Sequence, residues 1–500
     1  MVRLIQIDGT DNVAVAPFDI EKGVLCATRK SKVTAATRIR KGHKVALERI
    51  AAGESIIKYG WPIGTATELI EEGSAVHIHN VRTNLSGTLE YNYEPSPPIL
   101  PLSTTLSGAL PSTFTGYARA NDQVGVRNEI WIIPTTGCVN GLAERLARHA
   151  AGKPEYRDID GVFALSHSFG CNQLGDDHLR TQQVLADLVH HPNAGAVLVI
   201  SLGCETNNIE NFKSIIGDWN QKRVEFMVCQ DEDDEFLTGT KKLSKLLGYA
   251  SGFKRAALPI NALRVGLTCG GSDAFSGITA NPLVGAFADE LVRAGGSTVL
   301  TEVPEMFGAE VELLNRSIDG SVFEKGVEMI NSFKQYFLDR GHPVHENPAP
   351  GNIEGGITTL EEKSLGCTKK GGSSPVVDVI PYAGRIQKPG LTLLSAPGND
   401  LVCTTALAAA GCHMLLFTTG RGNPLGSIVP TLKISTTRQL AEKKKTWIDF
   451  DAGPILDGAA AADLSQDLYL LVAEIASGKR TNNEMNEYRD MAIFKDGVTV

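Results

Sequence analysis

From about residue 115 onward the chain alternates short, continuously apolar runs with segments whose apolar residues recur at helical spacing. Four of the runs end in a glycine beside a cysteine. They read Glu129-Ile-Trp-Ile-Ile-Pro-Thr-Thr-Gly-Cys138, Gly161-Val-Phe-Ala-Leu-Ser-His-Ser-Phe-Gly-Cys171, Ala196-Val-Leu-Val-Ile-Ser-Leu-Gly-Cys204 and Arg264-Val-Gly-Leu-Thr-Cys269-Gly-Gly-Ser-Asp273. Each predicts a buried strand that stops in a tight polar turn. After Cys138 the segment Asn140-Gly-Leu-Ala-Glu-Arg-Leu-Ala-Arg-His-Ala predicts a helix, and Asp176 to Val189 repeats the pattern. Asn281-Pro282 predicts another helix start, asparagine as cap and proline in the first turn, with Leu283, Val284, Phe287, Leu291 and Val292 as its buried face. Further strands are expected at 297–302, 391–395 and 413–419, and a helix over 400–411. Alternation of this kind argues for mostly parallel sheets with helices on both faces. Strand ends of such a sheet all point one way, and the ligand crevice lies just outside them. The four thiols, His167, Glu205 and Asp273 are therefore expected to converge on one site.

The first 92 residues have a different rhythm. Short alternating runs bounded by glycines, at 12–16, 44–47, 55–59 and 75–79, predict a small β-rich domain. In the last run His77 and His79 are two apart, which puts both on one face of a strand. They are a solvated edge or a metal pair. A segment with five prolines between positions 95 and 111 follows, so 93–114 reads as a stiff linker. A break near 250–260 divides the remainder into α/β portions at 115–255 and 256–500.

Composition narrows the function classes. Five hundred residues exceed one ordinary core. The net charge of −9 and pI near 5.7, with no basic stripe, argue against nucleic acid as a partner. No apolar run approaches the roughly 20 residues of a membrane helix. The nine cysteines are odd in number and form no Cys-x-x-Cys pair, and the N-terminus lacks the shape of a signal peptide. Free thiols in a reducing cytoplasm are the expectation.

The familiar cofactor and hydrolase signatures are missing: no Gly-x-x-x-x-Gly-Lys-Ser/Thr loop, no dinucleotide spacing in Gly420-Arg-Gly-Asn-Pro-Leu-Gly426, no Gly-x-Ser-x-Gly elbow, no His-Glu-x-x-His. Polar turns at strand ends carry the chemistry instead. Cys269-Gly-Gly-Ser-Asp-Ala-Phe-Ser-Gly277 joins a thiol, a carboxylate and two hydroxyls to glycines that let backbone N–H groups approach an anion. Arg421, in Thr418-Thr-Gly-Arg-Gly422, offers a guanidinium for bidentate grip of a carboxylate. His43 sits between lysines in Lys41-Gly-His-Lys44, either as a base or metal ligand or as an exposed basic turn. A lone cysteine at a strand end is most often a small buried residue. Cys26, Cys229, Cys367, Cys403 and Cys412 lack the strand-end glycine and read as packing, and 356–364 as the start of an ordinary helix.

Long runs nevertheless resemble one family, the altronate and galactarate dehydratases. The matching segments include Asp11-Asn-Val-Ala-Val-Ala16, Lys41-Gly-His-Lys-Val-Ala46, Val124-Gly-Val-Arg-Asn128, Phe169-Gly-Cys-Asn-Gln-Leu-Gly-Asp-Asp-His178, Leu202-Gly-Cys-Glu-Thr-Asn-Asn208, the run from Cys269 to Pro282, Ser395-Ala-Pro-Gly-Asn-Asp400 and Trp447-Ile-Asp-Phe-Asp-Ala-Gly453. His77-Ile-His79-Asn80 and Gly137-Cys138-Val-Asn140 resemble the altronate branch more than the galactarate one. The resemblance implies a SAF-type N-terminal domain, a large α/β catalytic region and dependence on divalent iron, Fe(2+), with Mn(2+) as its substitute. It implies loss of water from D-altronate to give 2-dehydro-3-deoxy-D-gluconate in galacturonate catabolism. Galactarate or another aldonate or aldarate is the alternative substrate, and a non-catalytic sugar-acid binding protein the alternative class. A related sulfolactate lyase carries its small and large parts on separate chains, whereas here they are fused. For such chemistry His43, His167 and Lys44 are the expected catalytic residues, with Lys44 and Arg421 holding the substrate carboxylate. Ser272, Asp273 and Asn281 are expected to bind substrate, and Cys171, Cys204, Glu205, Cys269, His77 and His79 to line or ligate the metal. The expected partner is a small sugar acid, with association into a homo-oligomer left open.

Overall fold

A computed structural model describes residues 1–96 and 110–498. It is an α/β protein with a small β domain in front. The N-terminal domain holds three three-stranded sheets. They comprise Val2–Arg3, Leu25–Ala27 and Lys32–Thr34; Val13–Val15, Lys44–Ala46 and Ala75–Val76; and Ser55–Lys58, Trp61–Ala66 and Val81–Arg82. Its core of Val13, Ile56, Ile63 and Val76 is shared with Ala309 and Leu365 from the far part of the chain. The domain is thus packed onto the body, not merely tethered to it. The expected strand 75–79 stops at Val76, because Asn80 turns the chain: its N–H donates to the His77 carbonyl and its Oδ1 accepts from the His77 N–H.

Residues 97–109 of the expected proline linker lie outside the described residues. On the near side the chain is strapped down. Tyr93 donates to the Ser317 carbonyl at 2.7 Å, and Lys334 of the helix Gly320–Asp339 donates to Tyr91 Oη at 2.7 Å. On the far side the strand Thr113–Ala118 pairs antiparallel with Arg255–Pro259, so the first α/β portion is closed by its own two ends.

Two parallel sheets form the body. The first runs Gly161–Ala164, Glu129–Pro134, Ala194–Ser201, Val224–Val228 in spatial order. The second runs Val376–Ile380, Gly390–Leu394, Ser297–Leu300, Arg264–Cys269, Met414–Thr419, Thr431–Ser435, Phe450–Asp451. Strands buried on both faces need apolar residues at every position, which is why they read as unbroken runs. Between the sheets the helices Gly175–Val189 and Asp400–Ala409 pack on each other around Leu185, Leu188, Leu407 and Leu415. The sheet break explains a departure from the sequence reading: the strands ending at Cys138, Cys171 and Cys204 belong to the first sheet, and the strand ending at Cys269 to the second. The four thiols therefore divide between two strand edges separated by two helices.

The predicted helix at 281 is Ala280–Arg293 with Thr279 as N-cap, two residues earlier than the asparagine suggested. Asn281 is instead buried, donating to the Gly366 carbonyl and accepting from Thr418 Oγ1. Within this helix a Cβ on Gly285 would lie 2.1 Å from the Lys369 carbonyl oxygen. Backbone cannot yield as a side chain can, so Gly285→Ala should cost roughly 2–4 kcal/mol in urea unfolding; wild-type stability would show the contact to be slack.

Candidate active site

The second sheet gathers its strand ends under the N-terminal domain. Cys269 closes one strand, Thr301 and Glu302 follow the next, and the turns of Asp400, Arg421 and Thr436 follow three others. Across this edge lies the helix Leu360–Cys367, capped by Thr359, whose hydroxyl accepts from the Glu362 N–H. All eight of its residues are buried, including Glu361, Glu362 and Lys363. Helical polar residues this deep need partners, and the N-terminal domain supplies Lys44 and Lys58 to Glu362 and the Thr83 hydroxyl and Asn84 N–H to Glu361. Its hairpin Ser55–Lys58 and Trp61–Ala66 turns through Tyr59 and Gly60, both at positive φ (64° and 77°), as a tight two-residue turn requires. The turn drives Tyr59 between Gly277 and Gly366; a Cβ on Gly277 would meet its hydroxyl at 2.3 Å. A small cavity remains among Tyr59, Asp273, Gly277, Asn281, Lys363 and Cys367.

Glu362 is the hinge of this seam. Its Oε2 accepts from Lys44 Nζ at 2.8 Å and its Oε1 from Lys58 Nζ at 2.7 Å, all three groups being inaccessible to solvent. Lys44 spends its other protons on the Gly356 carbonyl (3.0 Å) and Thr358 Oγ1 (2.7 Å). No donor is left for a substrate carboxylate, so the role expected of Lys44 gives way to that of a buried clamp. Burial pushes its ammonium down to about 8; Glu362 offsets part of this and Lys58 adds to it. Glu362 itself is driven down to about 2, since the two lysines outweigh the cost of burying its charge.

Above the clamp lie two imidazoles. The rings of His43 and His77 are 4.4 Å apart, and His77 Nδ1 is 3.0 Å from Thr358 Oγ1. Burial first, then the nearby Lys44, holds His43 below its ordinary value and His77 down at about 4. Both rings are thus uncharged near neutral pH. The Glu354 backbone accepts from one ring nitrogen of His43, and His43 Nε2 is buried without a hydrogen-bond partner among the described residues. His79, past the turn at Asn80, is exposed and does not join the pair expected for it. Because the unfolded chain takes up the proton that folded His77 refuses, stability should fall as pH drops from 6.5 towards 4. A His77→Asn protein should show a shallower fall of Tm across that window; an identical profile would contradict the assignment.

Beneath the cavity is a buried cluster of opposite charges. Cys269 Sγ, Cys367 Sγ and Glu305 Oε2 lie 3.6, 3.2 and 3.1 Å from one another. Lys370 Nζ is 2.9 Å from Cys269 Sγ and 3.5 Å from Glu302 Oε2, and Lys363 Nζ is 2.7 Å from Glu305 Oε1. Glu302 sits at φ 69°, a left-handed conformation costly for glutamate that persists where function holds it. Its Oε2 accepts from the Cys269 N–H at 3.2 Å. Burial, then repulsion from Glu305, raises Glu302 to about 8, while Lys363 and Lys370 overcome burial and bring Glu305 down to about 2.

Of the other expected residues, Arg421 is exposed beside Gly271 and Gly351 and paired with Glu354 at 2.9 Å, and Ser272 is buried beside the cavity. Asp273 lines the cavity with its oxygens engaged by the N–H groups of Phe275 and Ser276 and the hydroxyls of Ser276 and Thr436. Cys171, Cys204, Glu205 and His167 are on the first sheet. Glu205 is saturated by Thr135 and Ser201 hydroxyls (2.5 Å each) and the N–H groups of Leu202 and Gly203. His167 is 5% exposed and holds the Pro134 carbonyl through Nε2 and the Phe169 N–H through Nδ1, leaving neither nitrogen for a metal or a proton transfer. Lys58, Glu302, Glu305, Glu362, Lys363, Cys367 and Lys370 are the residues that reading the sequence missed.

This arrangement meets its relatives along the entire chain. Models of the altronate/galactarate dehydratase SAF domain, the D-galactarate dehydratase/altronate hydrolase second domain and the D-galactarate/altronate dehydratase C-terminal domain match residues 2–84, 116–251 and 260–499. The chain is 51% identical to altronate dehydratase of Escherichia coli (strain K12) and 48% identical to that of Bacillus subtilis (strain 168), covering 100% of both chains in each case. It is 32% identical to the galactarate dehydratase (L-threo-forming) of Escherichia coli (strain K12), over 98% of this chain and 96% of that one. The protein is a hydro-lyase, and the chain belongs to the D-galactarate/altronate dehydratase family.

Proposed function

We propose that the protein removes water from D-altronate, giving 2-dehydro-3-deoxy-D-gluconate in hexuronate breakdown. The observation that carries this reading is the end-to-end identity of about one half with two proteins named altronate dehydratase, against 32% with one named galactarate dehydratase.

The chemistry breaks a C–H bond beside a carboxylate and the C–O bond on the next carbon. His43, neutral and with Nε2 unpartnered, is the base that takes the α-proton. Arg421, released from its exposed pair with Glu354, grips the carboxylate. Glu302, held protonated near neutral pH, donates to the departing hydroxyl, which leaves as water. The enol that remains tautomerises to the 2-keto acid. Tyr59 and the Lys44–Glu362–Lys58 clamp keep water out and the two imidazoles in place.

The metal we propose is iron(II), with manganese(II) in its place, and the donor set fits one. Cys269, Cys367 and Glu305 present three ligand atoms within 4.8 Å of one another. Their separations suit one ion with metal–sulfur bonds of about 2.3 Å, and mixed sulfur and oxygen donors suit iron(II). As ions, the two thiolates and the Glu305 carboxylate carry three negative charges against the two positive charges of Lys363 and Lys370, an excess of negative charge that favours a cation among the sulfurs. When bound, it supplies Lewis acidity for the substrate's developing negative charge.

An anaerobic assay of aldonates and aldarates with iron(II), scored for 2-keto acid, tests the reading. D-altronate should give the highest kcat/KM. Preference for galactarate, or binding of altronate without turnover, would reject it.

A further inference from the structure

The first sheet carries a thiol site of its own. Its strands Gly161–Ala164, Glu129–Pro134 and Ala194–Ser201 are neighbours and run parallel, so Cys171, Cys138 and Cys204 follow three adjacent strand ends on one edge. Neighbouring strands lie about 4.8 Å apart. Cys138 and Cys204 are exposed and Cys171 half-buried, an uncommon setting for side chains that otherwise prefer the interior.

The loops that bear them are locked together. The Gly137 N–H donates to the Phe169 carbonyl at 2.9 Å and the Asn207 N–H to the Gly170 carbonyl at 3.0 Å. Gly170, at φ 100°, lies so close that a Cβ would meet the Thr135 carbonyl oxygen at 1.9 Å. Glu205 joins the loop after Thr135 to that after Ser201, and His167 pins its own loop to Pro134. These two buried groups act as braces. Beside Cys171, Gln173 is 3% exposed; its Oε1 accepts from the Gly170 N–H, and its Nε2 is buried with no acceptor among the described residues. Gln230 Nε2 donates to Cys204 Sγ at 3.4 Å.

From this geometry we infer that Cys138, Cys171 and Cys204 hold a [4Fe–4S] cluster, with the fourth iron facing outward. Their sulfurs do not all lie within 4.8 Å of one another. Sulfurs bound to one ion at about 2.3 Å are at most about 4.6 Å apart; a cluster spans a wider gap and takes thiolates on separate irons. Each thiol gives up its proton as it binds iron. The amide protons of Gln173 and Gln230 are donors of the kind that hydrogen-bond cluster sulfurs. The site is separate from the cleft of Cys269 and Cys367, because the helices Gly175–Val189 and Asp400–Ala409 stand between the sheets.

Anaerobic reconstitution of the full chain with sulfide and equal parts of iron(II) and iron(III), followed by iron and sulfide analysis and Mössbauer spectroscopy, tests this. Roughly four sulfides should stay with each chain. Cys138→Ser, Cys171→Ser and Cys204→Ser should each lose them while melting as the wild type does. Cys229→Ser, whose side chain packs against an apolar cluster, and Cys367→Ser in the cleft should keep them. The inference fails if sulfide does not bind, if one thiophilic ion binds without sulfide, or if the triple serine variant retains the cluster.

Discussion

Glu362→Gln should cost the folded protein about 3–5 kcal/mol and loosen the N-terminal domain from the body. The figure is that of breaking a buried ion pair by removing one partner, and here one carboxylate serves two ammoniums. Without it Lys44 and Lys58 face each other in a site closed to water. Lys44, already pushed down to about 8, would shed its proton first. Lys44→Met should be milder, since it leaves Lys58 and Glu362 as a balanced pair. Replacing all three by Met, Leu and Met should recover most of the loss, because apolar groups of similar volume substitute for buried ions at little cost. Urea midpoints and the rate of proteolytic cutting within 85–96 read out the series. If Glu362→Gln were as stable as wild type, the clamp would be no determinant of docking. The wild type has a matching acid limb: folded Glu362 titrates near 2 against 4.5 for the free group, so its contribution is present above 4.5 and lost as pH falls from there towards 2.

The same residue marks where the sequence stops being readable. Buried parallel strands announce themselves, and those at 129–134, 194–201, 264–269 and 414–419 fall where their apolar runs lie. The helix Leu360–Cys367 does not. Glu361, Glu362 and Lys363 look like a solvated face; the N-terminal domain folded over the first two, from 277 to 318 residues away in the chain, and Glu305 beside the third reverse that. Cys367 reads as packing for the same reason: it closes a helix rather than a strand and meets Cys269 only in three dimensions. The four strand-end cysteines were visible as a class, but strand sequences carry no record of which sheet they join, and that alone decides that Cys269 parts from the other three. His77 and His79 show a smaller failure. A period-two pattern describes a strand, and the Asn80 turn ends the strand before either histidine.

Cys269→Ser and Cys367→Ser should each lower iron(II) affinity at the cleft, and turnover with it, by at least about 100-fold. The bound comes from outer partners: removing a group that merely orients a ligand already costs 10–100-fold, and these two sulfurs would be ligands. Lys363→Met falls in that milder class, since its ammonium touches Glu305 Oε1 while Glu305 Oε2 faces the thiols. Glu305→Gln is the harsher variant, because it also strands Lys363 and Lys370, so its loss of activity would mix unfolding with loss of metal. The serine variants keep shape and hydrogen bonding and so separate the two. Titration with cobalt(II) as a reporter should give sulfur-to-metal charge-transfer absorption in the wild type, reduced in each single serine variant and gone in the double. Full iron affinity and full turnover in both single variants would place the metal elsewhere. The imidazoles of His43 and His77, whose rings lie 4.4 Å apart, are then the alternative donors, and His43→Gln would become the variant that empties the site.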